Sequence, residues 1–221
     1  MTRSAFLRAR RPEHKQQRRE AILAAARELA RTSGVRNVSL GAVAEAVGLA
    51  KSNIVRYFGT REEIYLELLA DEWRQWGEAV AERLRTISGT TATAQAVTAL
   101  VETIAERPLF CDLLSHASTS LEHNVSVPAA RAFKHAVHAR IAEMGAVMAG
   151  ATDLTEREGG ELAAACSGLA GMLYPASNPP PALAQVYAED PELAASCPVL
   201  LPTLLRALSA LAAGLPTLRE E

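Results

Sequence analysis

Four polar side chains within six residues, Lys51, Ser52, Asn53 and Arg56, carry the donors and acceptors that complement nucleobase edges. Lysine donates to guanine O6 and N7, asparagine bridges adenine N6 and N7, and serine meets either kind of base. Arg56 suits a base or a phosphate. On a helix, these four face away from Ile54 and Phe58, which lie four residues apart on one side. Chemistry of this kind reads a surface rather than transforming a substrate, and it depends on how rigidly the short segment is held.

The flanking residues supply that rigidity. Ser39–Phe58, "SLGAVAEAVGLAKSNIVRYF", reads as helix, tight turn, helix. Ser39 is a good N-cap. Leu40, Val43, Ala44 and Val47 make one apolar side, and Gly48 stands where a sharp turn requires positive φ. Leu49 plugs the turn into a core, and the second helix is expected over 50–58. Before this unit, Ile22, Leu23, Ala26, Leu29 and Ala30 recur at helical spacing in a helix over 15–33 that Gly34 closes. After it, Thr60 and Glu63 form a capping-box pattern opening a long helix over 61–84. Residues 1–14, with Arg3, Arg8, Arg10, Arg11 and Pro12, show little periodicity and are expected as a mobile basic arm.

Charge divides the chain along the same line. Residues 1–60 hold 12 Lys/Arg against 4 Asp/Glu, and the remainder holds 11 against 21, a split hidden by the net −2. A basic end on an acidic remainder fits a polyanion-binding part joined to a soluble part. No apolar run is expected to span a membrane, and the basic N-terminal stretch lacks a secretory apolar core. Cys111, Cys166 and Cys197 are far apart and odd in number, as expected of buried, reduced thiols in a cytoplasmic protein. His135 and His138 lack further ligands nearby in sequence, so neither a metal nor a cofactor is expected. No nucleophile motif, phosphate loop or dinucleotide fingerprint is present, and an enzyme is not expected.

The stretch "SLGAVAEAVGLAKSNIVRYFGTREEIYLELL", together with the preceding "REAILAAARELARTSGVRNVS", resembles the DNA-binding region of TetR-family (tetracycline-repressor-like) transcription regulators over about residues 18–70. The resemblance rests on small Ala44, the Gly48-Leu49 turn, the Tyr57-Phe58 pair and Arg61-Glu62-Glu63 with Ile64. It implies phosphate contacts by Ser39, Tyr57 and Arg61, a linking role for the long helix, and an effector pocket among the fourth to seventh helices. This chain departs from the family pattern in having Ala50 where Ser or Thr is usual, Val55 where Tyr is frequent, and Ser52 where Gly is frequent. Its second reading helix therefore starts without a side-chain cap.

The rest of the chain reads as helices, over 94–106, 108–124, 128–149, 155–174 and 198–215, with a Pro-rich break at "PASNPPPAL" and a short segment near 183–188. The expected fold is all-α: an N-terminal three-helix helix-turn-helix domain (15–60) followed by a helical effector-binding and dimerisation domain (61–221). Trp73, Trp76, Phe110, His116, Phe133, Met144 and Met148 are the candidates for lining a pocket for a small apolar or amphipathic effector. His116, four residues after Asp112, suits a polar anchor or a satisfied core histidine. Helices 155–174 and 198–215 are apolar on more than one face. Through Ala163, Ala164, Gly168, Gly171, Leu204, Leu208 and Leu211 they are expected to pair with a second copy, as the resemblance implies. The expectation is a homodimeric, ligand-responsive repressor on a palindromic double-stranded operator. The alternatives are an activator, or a TetR-like protein that acts on a protein partner.

Overall fold

The computed structural model describes residues 3–219, and the regular structure among them is helical throughout. Helix α1 (Arg3–Ser33), a 3₁₀ turn (Val35–Asn37), α2 (Leu40–Ala46) and α3 (Lys51–Ile54) form an N-terminal head. Ile22, Ala26, Val38, Val43, Ile54 and Phe58 are its buried centre. Gly34 and Gly48 take φ of 80° and 65°, as the two turns require.

Helix α4 (Arg61–Leu84) leaves the head and becomes the spine of the body. At 24 residues it is about 36 Å long. Thr60 caps it, accepting from the Glu63 amide at 3.1 Å. The expected capping box is only half made. The Glu63 carboxylate accepts from the Gly59 amide at 2.8 Å and from the Ser126 amide at 3.0 Å, tying the start of α4 to the body.

The body comprises α5 (Ala92–Ala105), α6 (Pro108–His116), α7 (Val127–Ala151), α8 (Glu156–Ser177), α9 (Pro181–Glu189), α10 (Pro191–Ala195) and α11 (Leu200–Gly214). Helices α7 and α8 cross on glycine. A Cβ at Gly145 would lie 2.2 Å from the Glu156 carbonyl oxygen, and one at Gly159 would lie 3.0 Å from that of Gly145. Helix α8 opens with the expected capping box: Thr155 Oγ1 accepts from the Glu158 amide (3.2 Å), and Glu158 accepts from the Thr155 amide (2.8 Å). Helix α11 packs on α5 and α8.

Several expectations need correction. Residues 3–14 continue α1 rather than forming an irregular arm, since Ala, Leu and Arg favour helix; Met1 and Thr2 lie outside the described residues. The α-helical part of α3 stops at Ile54. It has no side-chain cap and tightens into i→i+3 bonds at Tyr57. Helix α6 ends at His116 in a π-turn (Ala117–Leu121), and α8 runs through Pro175. Residues Pro191–Leu218 are apolar enough in length and composition to cross a membrane, contrary to the sequence reading, but they fold as separate pieces. In this stretch α11 turns Leu204, Leu208 and Ala212 into the core. Cys111 and Cys166 are buried, whereas Cys197 is only half-buried.

Candidate nucleic-acid interface

Ser39 holds the start of α2 by accepting from the Ala42 amide at 3.1 Å. The chain then turns at Gly48, where the Leu49 amide donates to the Ala44 carbonyl at 2.9 Å. This sets α3 on the surface of the head with Ile54 fully buried and Lys51, Ser52, Asn53 and Arg56 exposed. Lys51, Ser52, Asn53 and Arg56, expected to face out, are therefore all open to solvent. Exposed Val55 adds an apolar contact beside them.

A groove of about 460 Å³ runs along this surface, lined by Lys15, Arg18, Leu49, Asn53, Arg56 and Tyr57. Lys15 and Arg18, given no role from sequence, both come from α1. Their i, i+3 spacing puts both on one face, but only the fold of the head brings that face beside Asn53 and Arg56. The result is three cations and an amide around one depression, a surface suited to a phosphate backbone and the base edges beside it.

Arg19, also unassigned from sequence, fixes the end of the reading segment. Its guanidinium donates to the Tyr57 carbonyl at 2.9 Å, pairs with Glu67 on α4, and stacks 4.1 Å over the Phe58 ring. Burial pushes the Glu67 carboxyl above its usual range, and Arg19 only partly opposes this. Arg27 makes a second clamp from α1 to α4, pairing with Asp71 and buried Glu72, each at 2.5 Å.

Arg61 is not placed as a phosphate ligand. Its guanidinium turns inward, donating to the Val38 carbonyl at 2.5 Å and to the Val35 carbonyl, and it lies 4.7 Å over the Tyr65 ring. The carbonyls of Val35 and Val38, at either end of the 3₁₀ turn, take the charge that was expected to meet DNA. Tyr57 is half-buried at the groove wall.

The expected effector residues do not enclose a chamber. Trp73 packs edge-on against Trp76 and Phe110, which are tilted to each other, with centroids 5.3–5.7 Å apart, and the Trp76 indole donates to Thr103 at 2.9 Å. Met144 and Met148 are buried beside the α7–α8 crossing. These side chains fill the core they were expected to hollow out. His116 is half-buried, with Nε2 3.6 Å from Asp112. Phe133 lines a crevice of about 320 Å³ between head and α7.

The expected interface residues divide. Ala163, Gly171, Leu204 and Leu208 face inward; a Cβ at Gly171 would meet the Leu114 backbone at 3.0 Å. Ala164 and Gly168 face out with Met172, and Leu211 is half-buried. On α11 the outer face carries Leu201, Ala210 and Ala213, with Arg206 its one charge.

A family model described as "Bacterial regulatory proteins, tetR family" matches residues 22–68, and one described as "Tetracyclin repressor-like, C-terminal domain" matches residues 70–219. No curated protein matches the sequence. Among solved structures, the chain is similar to FadR of Thermus thermophilus, a TetR-family transcriptional repressor in complex with lauroyl-CoA. The identity is 20%, the coverage 92% of this chain and 97% of that one, and the TM-score 0.56. FadR of Bacillus subtilis in complex with stearoyl-CoA is 13% identical, with 89% and 98% covered and a TM-score of 0.53. The multidrug binding protein EbrR complexed with imidazole is 18% identical, with 88% and 94% covered and a TM-score of 0.56. At these identities the structural likeness speaks for the fold alone. The family models carry the assignment, the second alone matching more than half of the sequence: this chain belongs to the TetR family of transcriptional regulators.

Proposed function

We propose that the chain is a ligand-responsive repressor, without catalytic activity, that binds a palindromic operator as a homodimer in the cytoplasm. The observation that carries the reading is the shared exposure of Lys51, Ser52 and Asn53 on α3 beside the Lys15, Arg18 and Arg56 groove. Lys51 and Asn53 are the base readers, and Ser52 assists them. Arg56, Tyr57, Lys15, Arg18 and the α2 start at Ser39 hold phosphates. One such short helix reads few base pairs, so two heads one helical turn apart are needed. The outer apolar face of α8 and α11, centred on Ala164, Gly168 and Leu201, supports pairing with a second copy. The acyl-CoA held by the two FadR proteins supports a small amphipathic effector.

The test is fluorescence anisotropy with DNA fragments selected by the purified chain. With about 6–10 phosphate contacts per dimer, affinity should fall by about 10³–10⁵ between 50 and 200 mM salt. The selected fragments should be palindromic. Affinity independent of salt, or asymmetric single half-sites, would refute the proposal.

A further inference from the structure

We propose that the crevice behind Tyr57 binds a small apolar molecule carrying one positive charge, and that its occupant acts directly on the reading segment. The crevice, about 320 Å³, lies where α1, the exit of α3, α4 and α7 meet. That is at the small end of the range for ligand cavities. Its space comes from the α7 wall, where Ala129, Ala132 and Ala136 present a methyl group on successive turns. Larger side chains there would close it. Leu66 and Ala70 of α4 make the opposite wall apolar.

Charge selects the ligand. The lining holds two carboxylates, Glu63 and Glu67, against one guanidinium, Arg19, leaving one negative charge in excess. Arg19 is already committed to Glu67 and to the Tyr57 carbonyl. Burial still holds the Glu67 carboxyl above its usual range, so its ionised form is incompletely compensated. Three aromatic rings complete the lining, and ring faces attract cations. Phe58 already carries Arg19, and Phe133 has Lys134 5.7 Å from its centroid. Among the described residues, no cation lies over the Tyr57 ring.

Position makes the site regulatory. Tyr57 lines both this crevice and the basic groove that holds Asn53 and Arg56. A molecule that pushes on Tyr57 or draws Glu67 from Arg19 loosens the clamp on the end of the reading segment. This action on DNA rests on the repressor reading above; binding to the crevice does not.

The test is calorimetric titration of the full chain, without DNA, with benzyltriethylammonium and with 4-phenylbutyrate. The cation should bind saturably, one per chain, and the anion about tenfold more weakly or worse. Ala132→Trp should abolish cation binding by filling the crevice, and Glu67→Gln should weaken it about tenfold. Circular dichroism melts are to establish that each variant folds, and Ala129→Leu is a second, milder filling. Failure of the cation to bind, equal or tighter binding of the anion, or undiminished cation binding by the folded Ala132→Trp and Ala129→Leu chains overturns the site. In anisotropy, the cation should then lower DNA affinity of the native chain but not of Ala132→Trp. Unchanged affinity overturns the action on the reading segment. A chain that binds no DNA fails the repressor reading while the DNA-free titrations still decide the site.

Discussion

Asp112 of α6 accepts a hydrogen bond at 2.7 Å from the backbone amide of Val35, the first residue of the 3₁₀ turn that leads into α2. Arg61 of α4 grips the same turn through the carbonyls of Val35 and Val38. Two body helices thus hold the short segment that orients the reading unit. Asp112→Ala should leave the partly buried Val35 amide without a partner and cost about 1–3 kcal/mol. Urea denaturation measures the loss, and hydrogen exchange should show the Val35 amide losing protection first. Unchanged exchange there would mean that α6 does not restrain the head.

The exposed reading face predicts two kinds of loss. Lys51→Ala and Asn53→Ala should each cost about 1–3 kcal/mol of DNA affinity and relax the preference at one base position. Arg18→Ala should weaken all sequences alike and reduce the salt slope by about one. Anisotropy on a set of single-base operator variants separates the patterns. An Arg18 variant that alters base preference would move that side chain from phosphate to base.

Glycines on α7 and α8 should respond oppositely. Gly145→Ala places a methyl against the Glu156 carbonyl oxygen, 2.2 Å away and on backbone that cannot yield, so the helix crossing must open. A loss of about 1–3 kcal/mol or more is expected in urea. Gly168 has nothing within 4 Å of an added Cβ in the protomer. Gly168→Arg should leave the protomer folded by circular dichroism yet shift it from dimer to monomer in sedimentation. A dimeric Gly168→Arg chain would place the interface elsewhere.

Glu158 supplies a pH dependence. Hydrogen bonds from Arg219, at 2.6–2.7 Å, and from Thr155 hold its carboxyl down at about 2, against 4.5 for a free glutamate. A lowered native pKa stabilises the fold fully above 4.5, and this contribution is lost as pH falls from 4.5 through about 2. Arg219→Ala should lower the urea midpoint at pH 6 and show a shallower decline across that window. Parallel curves for the two chains would refute the linkage.

Much of this architecture is legible from local chemistry. Ser39, Gly48 and Gly34 act through their own backbone or the next turn, so their spacing alone places the helix-turn-helix. The Thr155 capping box behaves the same way. Arg61 and Arg19 were not legible, because the partners that absorb them lie 23–48 residues away along the chain. A long cation's role depends on which acceptor arrives first. Gly168 and Gly171 show a different limit. On a helix apolar nearly all round, periodicity cannot tell the side against Leu114 from the side left open. Trp73, Trp76 and Phe110 are as suited to closing a core as to lining a pocket, and the interhelical spacing decides between them.

The outer face of α8 through α11 bears on quantity as well as contact. Val199 is 66% exposed and Met172 64%, and neither α9 nor α10 buries a residue. Covered by a second copy as proposed, surface of this kind ties stability to assembly by mass action. The melting temperature should rise with chain concentration. Dilution should separate the heads before it unfolds them; under the proposed function, the number of chains in a cell, as well as the effector, should then set how much operator is occupied.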